Sequence, residues 1–556
     1  MRDFTYNYNN KKFTIHSVEL KKELKEITGV SELYSEKNNV QLNLDLLKIN
    51  IKKIKNAKDK AICLGKLYRF LEKITKDDIG LFENLLQDKK ILYKHLMYYF
   101  EVGMKVFYFE NRYNSYIAGK ISMCDYFRKR SYDDDEKKFD DFKDSFDIEI
   151  TCFVSNGKKF SDFTNRSCIY RSEEALKLEN LPFFVLTDKQ YQYFQTKNLK
   201  LVDMLTGIHY LSLKGKIYNK CGNALSCSGR VIVDQEYYDN IDNDDSDDEE
   251  DLFLENNLKE QIDSEGNIIT KEGDSIILEK ENIKDNEWMI IPYIAVYNID
   301  YKVWGLTHAS NLSKINFRSD AFNKVVMEQE KKQLIKKVIE FGSNNNLKNQ
   351  SQWDDIVEGK SGGLIFLLHG LPGLGKTLIA ESSAELLNRP LISITAGQLG
   401  TEASEIEGYL HMYLKRAKRW NAILLIDEAD VFMEERDNNI ERNALVTIFL
   451  RMLERFDGIL FLTTNRVSNI DIAIKSRMSI ILHYKPFTQA ERKQVWNNLV
   501  LNSKIVLSES DFDELSTYEL NGREIKHCLK MAIATADQGE TVTLKNIKSV
   551  LKYVMV

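Results

Sequence analysis

Proline is scarce, with five in 556 residues. So few exclude the Pro-rich compositions of fibrous and low-complexity chains. The seven cysteines are scattered singly, the closest pair being Cys221 and Cys227. That spacing supports neither a disulfide framework nor a zinc site, and reduced thiols are expected. No apolar run approaches the roughly 20 residues of a membrane-spanning helix; the longest are Leu364 to Leu368 and Trp288 to Tyr297. Met1 to Lys12 is polar and aromatic, so no secretory leader is expected, and the acidic residues soon after it argue against an organelle transit sequence. The expected location is cytoplasmic or nuclear. A strong charge of one sign is missing too. The formal net charge is −6, yet nine acidic side chains fall within 239–251, and the remainder is close to neutral. Such a balance carries no general nucleic-acid footprint, and nucleic acid is not an expected partner.

What is present is a globular composition, 43% apolar and 29% charged, on a chain long enough for about three compact units. Residues 1–145 read as a helical N-terminal region, from apolar side chains at three- and four-residue spacing such as Leu47, Ile51, Ile54 and Leu64, Leu67, Leu71. Residues 146–318 read as a β-rich domain. Ile148, Ile150, Cys152 and Val154 alternate and meet an Asn156-Gly157 turn, and further strands are expected at Arg230 to Val233, Ile276 to Leu278 and Met289 to Tyr297. The acidic segment 239–251 interrupts them as a solvated loop. Phe322, Val325, Val326, Leu334, Val338 and Ile339 then mark a helix capped by Ser319. Five short apolar runs alternate with helical patterns: Leu364 to His369, Leu391 to Thr395, Ala422 to Ile426, Ile459 to Thr463 and Ile480 to Tyr484. That alternation predicts an α/β fold with a five-stranded parallel sheet over 319–486, followed by a helical lid over 487–556.

The first run leads into Gly370-Leu371-Pro372-Gly373-Leu374-Gly375-Lys376-Thr377, and Thr377 opens an amphipathic helix. Strand, G-x-x-x-x-G-K-T and helix together are the P-loop in its required context. The glycines let backbone N–H groups converge on phosphate oxygens, Lys376 reaches the β- and γ-phosphates, and Thr377 offers its hydroxyl to Mg2+. The third run ends in Asp427-Glu428. Adjacent carboxylates at a buried strand tip need a cation, so Asp427 is the expected magnesium ligand and Glu428 the general base for the attacking water. Asn465, after the fourth run, is placed to orient that water. Arg477, just before the fifth, is the candidate finger toward the γ-phosphate of a neighbouring subunit, and Arg523 in Gly522-Arg523-Glu524 the candidate sensor on the lid. No Asn-Lys-x-Asp guanine reader is present, which argues against a GTPase.

LIFLLHGLPGLGKT, AILLIDEAD, ILFLTTNR, IKSRM and NGREI, in this order, resemble the AAA ATPases. The stretch from Trp353 to Phe487, with Gly229 to Asp234, Val303-Trp304-Gly305 and Asp320-Ala321-Phe322 before it, is most similar to fungal-type AAA proteins whose front half is a domain of unknown function. The resemblance implies a P-loop NTPase core with a lid, ATP and Mg2+ as ligands, and a homo-oligomeric ring, usually a hexamer, with sites between subunits. It covers about residues 150 to 556. One departure bears on function. Thr395 to Glu402 stands where peptide-threading members carry an aromatic pore loop, and it contains no aromatic residue. The expected activity is ATP hydrolysis by a remodeller of a protein partner. A slow ATP-dependent switch or scaffold, and a nucleic-acid-directed machine resembling clamp loaders, are the alternatives. Ser246, in Ser-Asp-Asp-Glu-Glu, has the surroundings an acid-directed kinase favours.

Overall fold

The computed structural model describes residues 3–7, 12–28, 40–43, 47, 51–110, 115–128, 144–219, 223–244, 261–262, 268–269, 277–343, 363–400, 402–435, 440–466, 470–500, 505–536 and 541–554. Ser246, Trp353 to Val357, most of the acidic segment and Cys221 lie outside them.

The N-terminal region is less helical than its periodicity predicts. Helices Val18–Thr28, Ile51–Ala57 and Ile62–Gln87 are there, but they pack on a three-stranded antiparallel sheet of Phe4–Asn7, Lys12–Ile15 and Val40–Asn43. Phe13, Ile15, Leu20, Leu24, Leu64, Leu67 and Leu71 share its core. Strands of four residues carry too little alternation to stand out beside a helix of 26. The boundary expected at 145 falls inside a sheet. Lys105–Glu110 and Ser115–Arg128 pair in sequence with Asp144–Ser155 and Lys159–Tyr170, in a six-stranded antiparallel sheet completed by Phe184–Val185 and Ile277–Glu279. At the predicted hairpin, Asn156 Oδ1 accepts from the amides of Lys158 (3.0 Å) and Lys159 (2.8 Å). A second antiparallel sheet orders Ala224–Val233, Tyr293–Asn298, Val303–His308, His209–Tyr218 and Leu312–Ser313, and the first and fourth of these also pair, closing it. The acidic segment does not begin as a loop: residues 239–244 finish a helix, Gln235–Asp244.

The rear sheet matches the five predicted runs: β1 Leu364–Gly370, β2 Leu391–Thr395, β3 Ile423–Asp427, β4 Ile459–Thr464 and β5 Ile480–Tyr484, all parallel, in the order β2-β3-β4-β1-β5. These strands read as continuous apolar runs because both faces are covered. Ile365 and Leu367 join a core with helices α2 (Ala403–Arg419) and α3 (Ile440–Arg455), whereas Phe366 and Leu368 pack with α1 (Lys376–Leu387) and helix Gln329–Ser343. Helices Gln489–Val500, Glu509–Ser516, α4 (Gly522–Thr535) and Leu544–Val554 form the lid around Trp496, Ile525 and Ile547.

The helix expected after Ser319 is two helices, Ala321–Lys324 and Gln329–Ser343, and the N-cap is Asp320 without a side-chain cap bond. Lys332 Nζ donates to the carbonyls of Asn323 (2.6 Å) and Val325 (2.8 Å), which gives the break between them its partners.

Candidate nucleotide site

Parallel strands deliver their C-terminal ends to one edge of the sheet, and there β1, β3 and β4 present the predicted residues side by side. Gly370 has φ +146°, and a Cβ on it would stand 2.3 Å from the Tyr484 carbonyl of β5; only glycine lets the loop leave the sheet there. Lys376 opens α1 with its side chain buried. Its Nζ donates to the carbonyls of Gly370 (2.7 Å) and Leu371 (2.9 Å) and to Asn465 Oδ1 (2.8 Å). Burial pushes the ammonium below the usual lysine range, and the Asp427 carboxylate opposes that shift.

At the tip of β3, Asp427 is half-buried and Glu428 exposed. Thr377 Oγ1 lies 3.5 Å from each Asp427 oxygen. Thr463 of β4 organises the tip: its hydroxyl donates to Asp427 Oδ1 and accepts from the Glu428 amide at 3.0 Å, while its carbonyl accepts from the Ala429 amide at 2.9 Å. Glu428 holds φ +56°, a left-handed conformation that costs a non-glycine residue about 1 kcal/mol. The hydrogen bonds of Thr463 on either side fix that turn.

These groups line a cavity of about 580 Å³ beneath the lid. Pro372, Gly373, Leu374, Gly375, Lys376 and Thr377 line it from the P-loop, Asp427, Glu428 and Asn465 from the strand tips, and Arg523 from the lid. Gly370 and Leu371 are not on the wall; they contribute the carbonyls that hold Lys376, and the Leu371 side chain is exposed. The lid touches the loop directly. The Gly522 amide donates to the Gly373 carbonyl at 2.9 Å, and Gly373, at φ +79°, leaves room for Asn521, whose Oδ1 would stand 2.4 Å from an added Cβ. Arg477 is elsewhere: it pairs with Glu454 of α3 and donates to the Ala473 carbonyl at 2.8 Å, apart from the cavity wall of its own chain.

Sequence reasoning missed the wall opposite the phosphate loop. Arg318, Ala321, Val325 and Val326, with Val495 and Leu499 from the lid, close that side. Ala321, Val325, Val326, Val495 and Leu499 give it an apolar stretch, Asp320 and Lys324 line it as well, and Asn498 Nδ2 ties it to the lid through the Lys324 carbonyl at 2.9 Å. In the sequence Val325 and Val326 read as part of one continuous helix, which hid it. Thr463 was hidden for another reason, since a threonine in an apolar strand reads as core.

A left-handed glycine loop, a lysine under it, and a hydroxyl and carboxylate at mutual range are features of the P-loop NTPase fold. Residues 366–486 match the family model described as "ATPase family associated with various cellular activities (AAA)", and the chain carries an AAA domain there. Relatives include the mitochondrial Lon protease homolog of Scheffersomyces stipitis, 34% identical over 149 residues, which are 22% of this chain and 14% of the relative. A putative 26S proteasome regulatory subunit homolog of Methanothermobacter thermautotrophicus is 30% identical over 200 residues, covering 34% of this chain and 54% of the relative. The chain thus spans about a seventh of the Lon relative and about half of the archaeal one. Among solved structures, a chain of the HORMA:CdnC:Trip13 complex of E. coli MS115-1 aligns at 17% identity with a TM-score of 0.34, covering 43% of this chain and 92% of that one. Among the described residues, no helix is long and apolar enough to cross a membrane.

Proposed function

We propose that the protein binds Mg2+ and ATP in the cavity under the lid and hydrolyses the γ-phosphate, using the cycle to remodel a protein partner. The observation that carries this reading is the convergence of Lys376, Thr377, Asp427, Glu428 and Asn465 on one wall of that cavity.

The residues fit the ligands. Thr377 and Asp427 offer hard oxygen donors close together, as magnesium requires. Magnesium, when bound there, supplies charge neutralisation at the phosphates. Of the bonds Lys376 makes, two go to loop carbonyls that define the cradle, and the third, to Asn465, is the one a phosphate oxygen would exchange. That exchange both relieves the desolvated ammonium and frees Asn465 to hold the attacking water. Glu428, exposed beside it, takes the proton. The slot of Val325, Val326 and Leu499 accepts the base by apolar contact.

Arg477 lies off the cavity of its own chain, which suits action on a neighbouring subunit, so a homo-oligomeric ring belongs to this proposal. Remodelling of a folded partner is favoured over threading of an extended one. Thr395 to Glu402 carries no aromatic, and Gln398 within it accepts a hydrogen bond from Lys302 of the front domain.

Phosphate release from the whole chain and its Glu428→Gln variant tests the chemistry. The variant should turn over about 10²- to 10⁴-fold more slowly while calorimetry still detects Mg-ATP binding. Equal rates would reject hydrolysis at this site. Lys376→Ala should abolish the binding heat, and partners co-purifying with the Glu428→Gln trap would identify the client.

A further inference from the structure

The base-side wall is thin. Beyond it lies a second cavity of about 900 Å³, between the front antiparallel sheet and the AAA domain. Arg318 and Ala321 of the wall, and Leu378 and Glu381 of α1, line both spaces, while Phe322 and Val325 anchor the same turn in the core. Between the two cavities, directed bonds add to that anchoring. One stands out: the Arg318 amide donates to Glu385 Oε2 at 2.7 Å, and the Arg318 carbonyl then accepts from the Ala321 amide at 2.9 Å, opening the turn that carries the wall.

Glu385 sits about two and a half turns along α1 from Lys376, on the helix whose first residues form the phosphate cradle. Its other oxygen is paired with Arg230, a residue of the front-sheet strand Ala224–Val233. That guanidinium is itself held: it lies over the rings of Tyr210 (5.8 Å) and Phe317 (5.4 Å) and donates to the Tyr210 hydroxyl at 3.2 Å. The ion pair is largely shielded, with side-chain exposures of 32% for Arg230 and 16% for Glu385. A single carboxylate therefore connects the front sheet, the P-loop helix and the base-side wall.

We propose that Glu385 is a positioning residue of the nucleotide site, through which Arg230 lets the front sheet set the width of the base slot. The inference rests on the nucleotide reading above. Movement of the front sheet on binding a client would pull on Arg230, release or tighten Glu385, and change nucleotide affinity. By linkage, nucleotide binding would change client affinity by the same factor.

The test uses the full chain and a fluorescent, slowly hydrolysed ATP analogue, so that affinity is read without turnover. Glu385→Ala should weaken binding about tenfold, equivalent to ~1.4 kcal/mol, with KM rising in step and kcat within about twofold. The charge swap Arg230→Glu with Glu385→Arg separates positioning from general support. It restores an ion pair, but arginine has no acceptor for the Arg318 amide, so thermal stability should recover while affinity stays weak. Should the swap not fold, Arg230→Met, which frees Glu385 from its orienting partner, should weaken binding about threefold without lowering kcat. Unchanged affinity in Glu385→Ala, or affinity restored by the swap, overturns the proposal. If the unsubstituted chain bound no analogue at all, the nucleotide reading itself would fall, a result distinct from either.

Discussion

Individual side chains here are set by what surrounds them more than by type. His308 shows it. Burial, and then the nearby Lys197 ammonium at 3.4 Å, push its imidazole from 6.5 down to about 4. The folded state keeps the ring neutral while the unfolded chain protonates it, so below pH 6.5 the unfolded state binds more protons. The associated stability is complete above that pH and is lost as pH falls toward about 4. His369, which stacks on His483 at 4.6 Å and is pushed down first by burial, adds a contribution of the same sign. Urea midpoints should fall between pH 7.5 and 5, and His308→Asn should show a shallower fall. An equal fall would mean that other groups carry the acid sensitivity.

At the scale of the element, the lid depends on how α4 begins. Asn521 caps that helix, accepting from the amides of Arg523 (2.9 Å) and Glu524 (3.0 Å), while the Glu524 carboxylate accepts from the Asn521 amide at 2.7 Å. The same asparagine fills the space that Gly373 leaves open. Asn521→Ala should therefore lower stability by ~1 kcal/mol through the lost cap and also loosen the lid on the phosphate loop. Nucleotide affinity should drop more than in Ser508→Ala, which removes a comparable cap from Glu509–Ser516, a helix that lines no part of the cavity. Equal effects of the two would mean that the lid acts only through its fold. The same elements show what a sequence reveals. β1 to β5 were legible because strands buried on both faces leave uninterrupted apolar runs, and the phosphate loop because its spacing follows from its geometry. The wall from Arg318 to Val326 was not, since backbone carbonyls and amides pinned by Lys332, Glu385 and Asn498 leave no spacing to read. The front sheets were blurred where strands are short or where helical periodicity beside them is stronger.

Across the whole molecule, the front sheet and the AAA domain share a core. Ile232 and Tyr297 of the front sheet belong to the apolar cluster of α2 and β3, and Arg416 of α2 lies over the rings of Tyr297 (5.1 Å) and Tyr237 (5.6 Å). At its edge the fully buried Asp234 accepts from Arg419 Nε (2.5 Å) and Nη2 (2.7 Å) and from Trp420 Nε1 (2.8 Å). A joint core of this kind should make the two parts unfold together, so tryptophan fluorescence, which sees Trp304 and Trp420 at the junction, should report the same transition as calorimetry. Asp234→Ala strands the indole N–H without its acceptor and leaves the Arg419 guanidinium with Glu236 alone, at a cost of about 2–3 kcal/mol. Because that cost falls on the junction rather than on either core, the variant should lose the tryptophan signal at a lower temperature than the main calorimetric transition. If both signals instead shift down together, the junction is no weaker than the domains it joins. The front sheet would then be as much a part of the AAA domain as its own lid, and anything that displaces it would have to unfold part of the cavity wall to do so.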